Sequence, residues 1–413
     1  MNTTLSSIDW VHITCNSKHD SDILDVINPR KIVLKLPFLI GVIGTLIGSG
    51  ALGADLLPGV PAAPKLDIPS FILIDFNSGA VLTEHNPHKR VEPASLVKIM
   101  TSYVAADALA SGAIDLNDTT LVSEKAWRMG GSRMFIEVNK RVSVDELLQG
   151  VIIQSGNDAS VALAEYISGT EEVFAAIMNQ QAKRLQMENS SFSNSTGLPD
   201  PDTYSTAHDL ALLSSAFIRD FPDIYKRFSE PEYTYNGIRQ YNRNRLLKRD
   251  SSVDGVKTGY TKAAKYCLVA SALRGDMRLV AAVMGGTSDR ERTEASQTLI
   301  NYGFRFFESR KVYGVGEEIA TAKVWKGEAP EISLGVASDL YVSMPRGKHN
   351  EIEAEIEIPK TIEAPVASGQ AIGVLHFKLE ERVIASAKLV ANRAVGEGSI
   401  FTRALDDVLM RLK

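Results

Sequence analysis

The chain has 413 residues, 45 Lys and Arg against 50 Asp and Glu, a formal net charge of −5 and 44% hydrophobic residues. That balance describes a globular chain and excludes the basic stripe a nucleic-acid binder needs, while the length asks for two or more domains. There is no H-E-x-x-H and no paired C-x-x-C, and Cys15 and Cys267 are the only cysteines, so no metal and no other cofactor is expected.

Residues 1–54 read as a leader and signal peptide. Lys31 and Lys35 precede an apolar run from Leu36 through Ile47, and small residues from Gly48 to Ala54 close it. This is the n-region, h-region and cleavage zone of a secretory signal. A polar leader from Met1 to about Pro29 stands ahead of it, so either the true start lies downstream or the n-region is long. An uncleaved membrane anchor is the alternative reading of the apolar run. Cleavage would leave Cys267 without a disulfide partner.

Residues 55–311 read as one domain. Ser70–Phe76, the turn Asn77-Ser78-Gly79 and Ala80–Leu82 spell strand, turn, strand. Helix-rich sequence runs to about Asp223, and strands return at Leu268–Ala272 and Leu279–Met284. Strands at both ends with helices between fit an α/β sheet carrying a helical cluster, with a site between the two. Residues 312–395 alternate apolar and polar in short runs, Ile352–Ile358 and Ala371–Phe377 among them, as in a small all-β domain. Residues 396–413 place Ile400, Phe401, Ala404, Leu405, Val408, Leu409 and Leu412 on one face at helical spacing.

The first domain carries three short motifs in order: Ser95-Leu96-Val97-Lys98, Ser155-Gly156-Asn157 and Lys257-Thr258-Gly259. The stretch Ile99–Leu109 has no Gly or Pro and reads as a helix, so Ser95 and Lys98 are neighbours on one face near its first turn. A serine hydroxyl needs a base, and Lys98 can serve if burial and a second cation, Lys257, depress its pKa. Ser155 can relay a proton, and Asn157 can orient Lys98 and hold a substrate carbonyl. The third motif reads as an edge strand, with Gly259 leaving room for an extended peptide. S-x-x-K alone turns up roughly once or twice by chance in a chain this long, but SGN and KTG are each expected about a tenth of a time. Their ordered joint occurrence describes a serine acyl-transfer site, the grouping known from β-lactamases and penicillin-binding proteins.

With Pro93–Lys98, Gly150–Ala159, Val253–Gly259, Asn301–Phe307 and Ser333–Val336 as the matching text, the chain resembles the low-molecular-mass penicillin-binding proteins that act as serine D-alanyl-D-alanine carboxypeptidases. The resemblance implies a transpeptidase-like fold, an antiparallel sheet with a helical cluster followed by a small all-β domain and an amphipathic helix. It implies that Ser95 attacks the bond between the two terminal D-alanines of a peptidoglycan stem pentapeptide, with Lys98 as base and an oxyanion hole formed by the N–H groups of Ser95 and a residue near Tyr260. β-Lactams would acylate the same serine. Thr258 and, by register, Arg292, with Arg290 as fallback, would hold the substrate carboxylate. The implied location is the periplasmic face of the cytoplasmic membrane, with the last helix on the membrane surface and a role in cell wall maturation and cell shape.

One position departs from that group: Tyr260 stands where a histidine is common after KTG. A phenol donates a hydrogen bond but stays neutral at pH 7, which points to weaker or less pH-dependent carboxylate binding. No E-x-x-L-N segment follows Asn157, which disfavours a class A β-lactamase, and no G-x-S-x-G elbow is present. His208-Asp209 reads as a helix start capped by Ser205 or Thr206. A D,D-endopeptidase, or a penicillin-binding scaffold or sensor that turns over slowly, would use the same motifs.

Overall fold

The computed structural model describes residues 33–34 and 57–412 and divides into two compact units, Pro61–Phe306 and a second running from Phe307 to the C-terminal helix. Apart from Val33–Leu34, the expected leader and signal segment, Cys15 included, lies outside the described residues. Among the described residues no helix is long and apolar enough to cross a membrane.

The first unit is built on a five-stranded antiparallel sheet. Its strands are β1 (Ser70–Asp75), β2 (Val81–His85), β3 (Val253–Thr261), β4 (Lys265–Arg274) and β5 (Met277–Gly286), in spatial order β2-β1-β5-β4-β3. The β1–β2 turn is set by Asp75, whose Oδ1 accepts hydrogen bonds from the Ser78 N–H and hydroxyl at 2.7 and 2.8 Å, and Gly79 supplies the positive φ that closes it. Leu279–Met284 of β5 is an unbroken buried apolar run because helices cover both faces of the sheet. On one side Ile72, Val269, Val280 and Ala282 join a core with Met100, Tyr103 and Phe217 from helices α1 (Val97–Ala110) and α4 (Ala207–Asp220). On the other side lies α5 (Asp289–Phe306), where a β-carbon on Gly303 would come within 2.6 Å of Leu279. Each fully buried Leu, Ile or Val side chain here contributes about 1.5–3 kcal/mol.

Every side chain from Val97 to Ala106 is buried, so α1 is a central helix. Around it pack α2 (Asn157–Ser168) and α3 (Glu171–Arg184), completing the helical cluster expected from the sequence. Thr206 caps α4 through Asp209 N–H at 3.0 Å, so His208-Asp209 is the capped helix start that the sequence suggested.

The second unit is mostly antiparallel β structure: β6 (Phe307–Tyr313), β7 (Ala320–Lys323), β8 (Glu331–Gly335), β9 (Leu340–Pro345), β10 (Ile352–Glu357), β11 (Ala371–Leu379) and β12 (Arg382–Ala391). Strands order as β10-β11-β12-β8-β7, with the backbone of Val33–Leu34 running parallel beside β10, while β6 pairs with β9. Ile352, Ala354 and Ile356 point into its core, as period-two alternation requires. The last helix, α6 (Ile400–Arg411), is capped by Ser399. Its polar side is tied to this unit: Asp406 accepts from the Lys326 N–H, and Asp407 pairs with the Lys326 ammonium at 2.8 Å. Its apolar side faces outward, with Phe401 88% exposed and Ile400, Leu405, Val408 and Leu412 also exposed.

Candidate active site

Ser95 sits in a single 3₁₀ turn, Ala94–Leu96, that runs into α1. The turn is held on two sides by glycines, Gly197, which admits no side chain, and Gly259, which leaves little room for one. A β-carbon on Gly197, at φ +77°, would lie 1.9 Å from the Ala94 carbonyl oxygen, and one on Gly259 would lie 3.0 Å from the Pro93 carbonyl oxygen. Gly259 therefore lets the edge strand β3 press against the turn that carries Ser95. Gly259 also lines the cleft, where the sequence reading expected it to leave room for substrate. Ala94 itself takes φ +49°, a conformation costly for a residue with a β-carbon.

One turn along, Lys98 is fully buried with its Nζ 3.4 Å from Ser95 Oγ. It donates to Asn157 Oδ1 at 2.7 Å and to the Thr196 carbonyl at 2.6 Å. The reach to Ser95 is longer than a formed hydrogen bond, as is common before substrate closes on such a pair. Burial first, and then the positive charge of Arg243, push the Lys98 pKa down to about 7, against the opposing pull of Asp158 and Glu171.

Both carboxylates that face Lys98 are also structural anchors. Asp158 accepts the N–H groups of Met134 and Phe135 at 2.8 Å each and fixes the loop whose Ser132 carbonyl takes the Asn157 N–H at 2.7 Å. Glu171 Oε1 accepts from the Ser195 N–H at 3.0 Å and hydroxyl at 2.7 Å, next to the Thr196 carbonyl that holds Lys98.

Ser155 ends the π-helical turn Gly150–Gln154 in the left-handed region, at φ +63°, and lines the cleft. Its hydroxyl has no hydrogen-bond partner among the described residues. Asn157 opens α2, and its Nδ2 donates to the Gly130 carbonyl at 2.7 Å, which fixes Oδ1 toward Lys98. Lys257 is buried on β3, and burial followed by the charges of Lys98, Arg243 and Arg292 holds its pKa well below the ordinary lysine range. The sequence reading made Lys257 the second cation acting on Lys98. The positive charge that lowers the Lys98 pKa is that of Arg243.

Thr258, Gly259 and Tyr260 line the cleft, about 450 Å³ in volume, opposite Ser95 and Ser132. β3 is the outer strand of its sheet, as expected, so its free edge faces the cleft. Arg292 reaches the same wall but is 6% exposed and largely committed: it donates to the carbonyls of Gly259 and Cys267 at 3.0 and 3.1 Å and pairs with Asp289. Arg243 also lines the cleft, and no ion-pair partner holds it among the described residues. The sequence reading passed over Arg243, Glu171 and Thr196. None stands in a motif, and an Asn-Arg-Asn loop or a helix-starting glutamate looks like ordinary surface. Among the described residues no cluster of three or more His, Cys, Asp or Glu side chains is placed to hold a metal.

The profile of the D-alanyl-D-alanine carboxypeptidase family matches residues 59–288, and that of the penicillin-binding protein 5 C-terminal domain matches residues 307–397. The D-alanyl-D-alanine carboxypeptidase DacA of Escherichia coli is 41% identical over 355 residues, 84% of this chain and 88% of that one. Penicillin-binding protein 5 of Haemophilus influenzae, a solved structure, superposes with a TM-score of 0.80 at 42% identity, covering 82% of this chain and all of that one. Penicillin-binding protein D2 of Listeria monocytogenes, solved in its ampicillin-bound form, covers 58% of this chain and 98% of that one, at 29% identity and a TM-score of 0.54.

Proposed function

The chain belongs to the serine D-alanyl-D-alanine carboxypeptidase family, and on that premise we propose how its cleft removes the terminal D-alanine of a stem pentapeptide. The observation that carries the reading is the buried Lys98 ammonium 3.4 Å from Ser95 Oγ, with its pKa lowered to about 7. A base poised near neutrality is what a serine nucleophile requires.

Lys98 takes the hydroxyl proton as Ser95 Oγ attacks the carbonyl of the penultimate D-alanine. The oxyanion that forms is held by the N–H groups of Ser95 and Tyr260, which the close contact of Gly259 with the Pro93–Ala94 turn keeps at fixed separation. As the C–N bond breaks, Ser155 relays a proton to the leaving amine. Water then attacks the Ser95 ester, with Lys98 again as base, and releases the tetrapeptide. Asn157 orients Lys98, and Lys257 tunes the electrostatics of the site. The leaving carboxylate is bound by the Thr258 hydroxyl and by Arg243, the arginine whose charge is not already matched, while Arg292 fixes the strand through Gly259 and Cys267. With Tyr260 in the place where a histidine is common, that binding does not depend on a titrating imidazole.

β-Lactams present a strained amide to the same serine, and the ampicillin-bound Listeria relative supports this reading. The outward apolar face of α6 supports peripheral attachment to the periplasmic face of the cytoplasmic membrane, and wall maturation and cell shape are the processes served. Mass spectrometry of the protein incubated with penicillin tests the site. The expected result is one adduct, on the peptide carrying Ser95, absent from Ser95→Ala; an adduct elsewhere overturns it.

A further inference from the structure

None of the side chains of α6 is buried, and a helix of 12 residues is marginal in water on its own. What holds it is a polar joint centred on Lys326. The Lys326 N–H donates to Asp406, its carbonyl accepts from the Gly398 N–H at 2.8 Å, and its ammonium pairs with Asp407 at 2.8 Å and with Glu363 at 2.9 Å. Lys326 does this at φ +59°, a left-handed conformation that is costly for a residue with a β-carbon. The joint has little slack. The Glu328 N–H donates to the Gly396 carbonyl at 2.9 Å, Arg403 pairs with Glu397, and a β-carbon on Gly398 would lie 2.6 Å from the Gly327 carbonyl oxygen. Helices that lie on lipid carry Lys and Arg along their polar side, whereas α6 carries Asp406 and Asp407 as well as Arg403 and Arg411. By helical spacing Asp407 borders the apolar side next to Ile400 and Arg411, where anionic headgroups would repel an unmatched carboxylate.

We propose that Lys326, a residue outside the helix, is the clasp of the membrane-attachment surface: it fixes α6 by its polar side, presents the apolar side to lipid as a helix already folded, and matches the Asp407 carboxylate at the border of that side. The inference rests on the reading of α6 as the part that attaches to the cytoplasmic membrane, and its partner is a bilayer surface containing anionic phospholipid. Two gains follow from the geometry. The cost of ordering the helix is met when the second unit folds and is not charged against binding. The carboxylate nearest the apolar side reaches the headgroups with its countercharge in place, supplied by a lysine that the amphipathic pattern of residues 396–413 does not contain. Lys326 is a positioning residue here, since it acts on lipid through α6.

The test is a double-mutant cycle on the full chain: wild type, Lys326→Glu, Asp407→Lys and the charge swap that combines them, each titrated with vesicles of phosphatidylethanolamine and phosphatidylglycerol. Both single variants should bind roughly three- to tenfold more weakly than wild type, and the swap should recover to within about twofold. Without vesicles, amide hydrogen exchange across 400–411 should quicken in each single variant and slow again in the swap. D-alanine release from a soluble peptide, which does not involve α6, should stay within about twofold in all four and reports that they fold. If charge alone acted, Asp407→Lys would bind this anionic surface more tightly than wild type and the two effects would add. That result would overturn the clasp and leave the attachment reading standing, as would single variants that bind and exchange like wild type. Wild type that does not bind the vesicles would overturn the attachment reading and the clasp with it.

Discussion

A β-carbon at Gly259 would stand 3.0 Å from the Pro93 carbonyl oxygen, closer than the neighbouring backbone tolerates without a shift of a few tenths of an ångström. The two residues join the edge strand to the turn that carries Ser95, so the spacing between the two N–H groups proposed to bind the oxyanion passes through this contact. Gly259→Ala is expected to fold, since φ there is not in the left-handed region, yet to lose about tenfold or more in acylation rate, as small misplacements at a reacting centre do. Stopped-flow acylation with a chromogenic β-lactam, alongside a thermal melt, checks this. Unchanged acylation would show that the contact does not set the site.

The Lys98 pKa of about 7 fixes the acid limb of the rate profile. Lys98 must be neutral to accept the Ser95 proton, so kcat/KM should rise with pH through about 7 and level above it. Arg243 lowers this pKa by its charge, so Arg243→Gln should move the limb to higher pH as well as weaken binding of the leaving carboxylate. A limb that stays in place in Arg243→Gln would remove Arg243 from the electrostatics of the base.

Glu171 acts on the same amine with the opposite sign. Glu171→Gln keeps an acceptor for the Ser195 N–H and hydroxyl but removes the negative charge, so the acid limb should move to lower pH while the fold is retained. Glu171→Ala, which also frees the 195–196 segment from its anchor, should lower kcat at every pH by displacing the Thr196 carbonyl from Lys98. The pair of profiles separates charge from positioning; parallel losses without a shift would assign Glu171 to packing alone.

The exposed face of α6 leads to a binding measurement. Phe401→Asp together with Leu405→Asp should abolish cosedimentation with vesicles of phosphatidylethanolamine and phosphatidylglycerol, leaving D-alanine release from a soluble peptide within about twofold. Retained vesicle binding would place the membrane contact elsewhere in the chain.

The motifs were readable in the sequence because their chemistry is local: Ser95 and Lys98 lie one turn apart, and Thr258 and Gly259 are adjacent on one strand. Strand alternation and apolar runs likewise gave the sheet, the β-rich second unit and the amphipathic last helix. What sequence could not provide was partnership across distance. Thr196 meets Lys98 through its backbone carbonyl, which any residue type would offer, and Glu171 reaches the site through Ser195. Arg243 and Arg292 have the same side chain, and only the structure shows that Asp289 and two strand carbonyls occupy Arg292. Gly259 was legible as a glycine, but the neighbour that requires it, Pro93, lies in a different motif.

The central claim is that Ser95, activated by Lys98, turns over D-Ala-D-Ala substrates. The most direct test is the release of free D-alanine from a diacylated Lys-D-Ala-D-Ala peptide over time, for wild type and Ser95→Ala in parallel. The account predicts many equivalents of D-alanine per enzyme from the wild type and none from the variant. Release that stops at one equivalent, or that persists in Ser95→Ala, would contradict it.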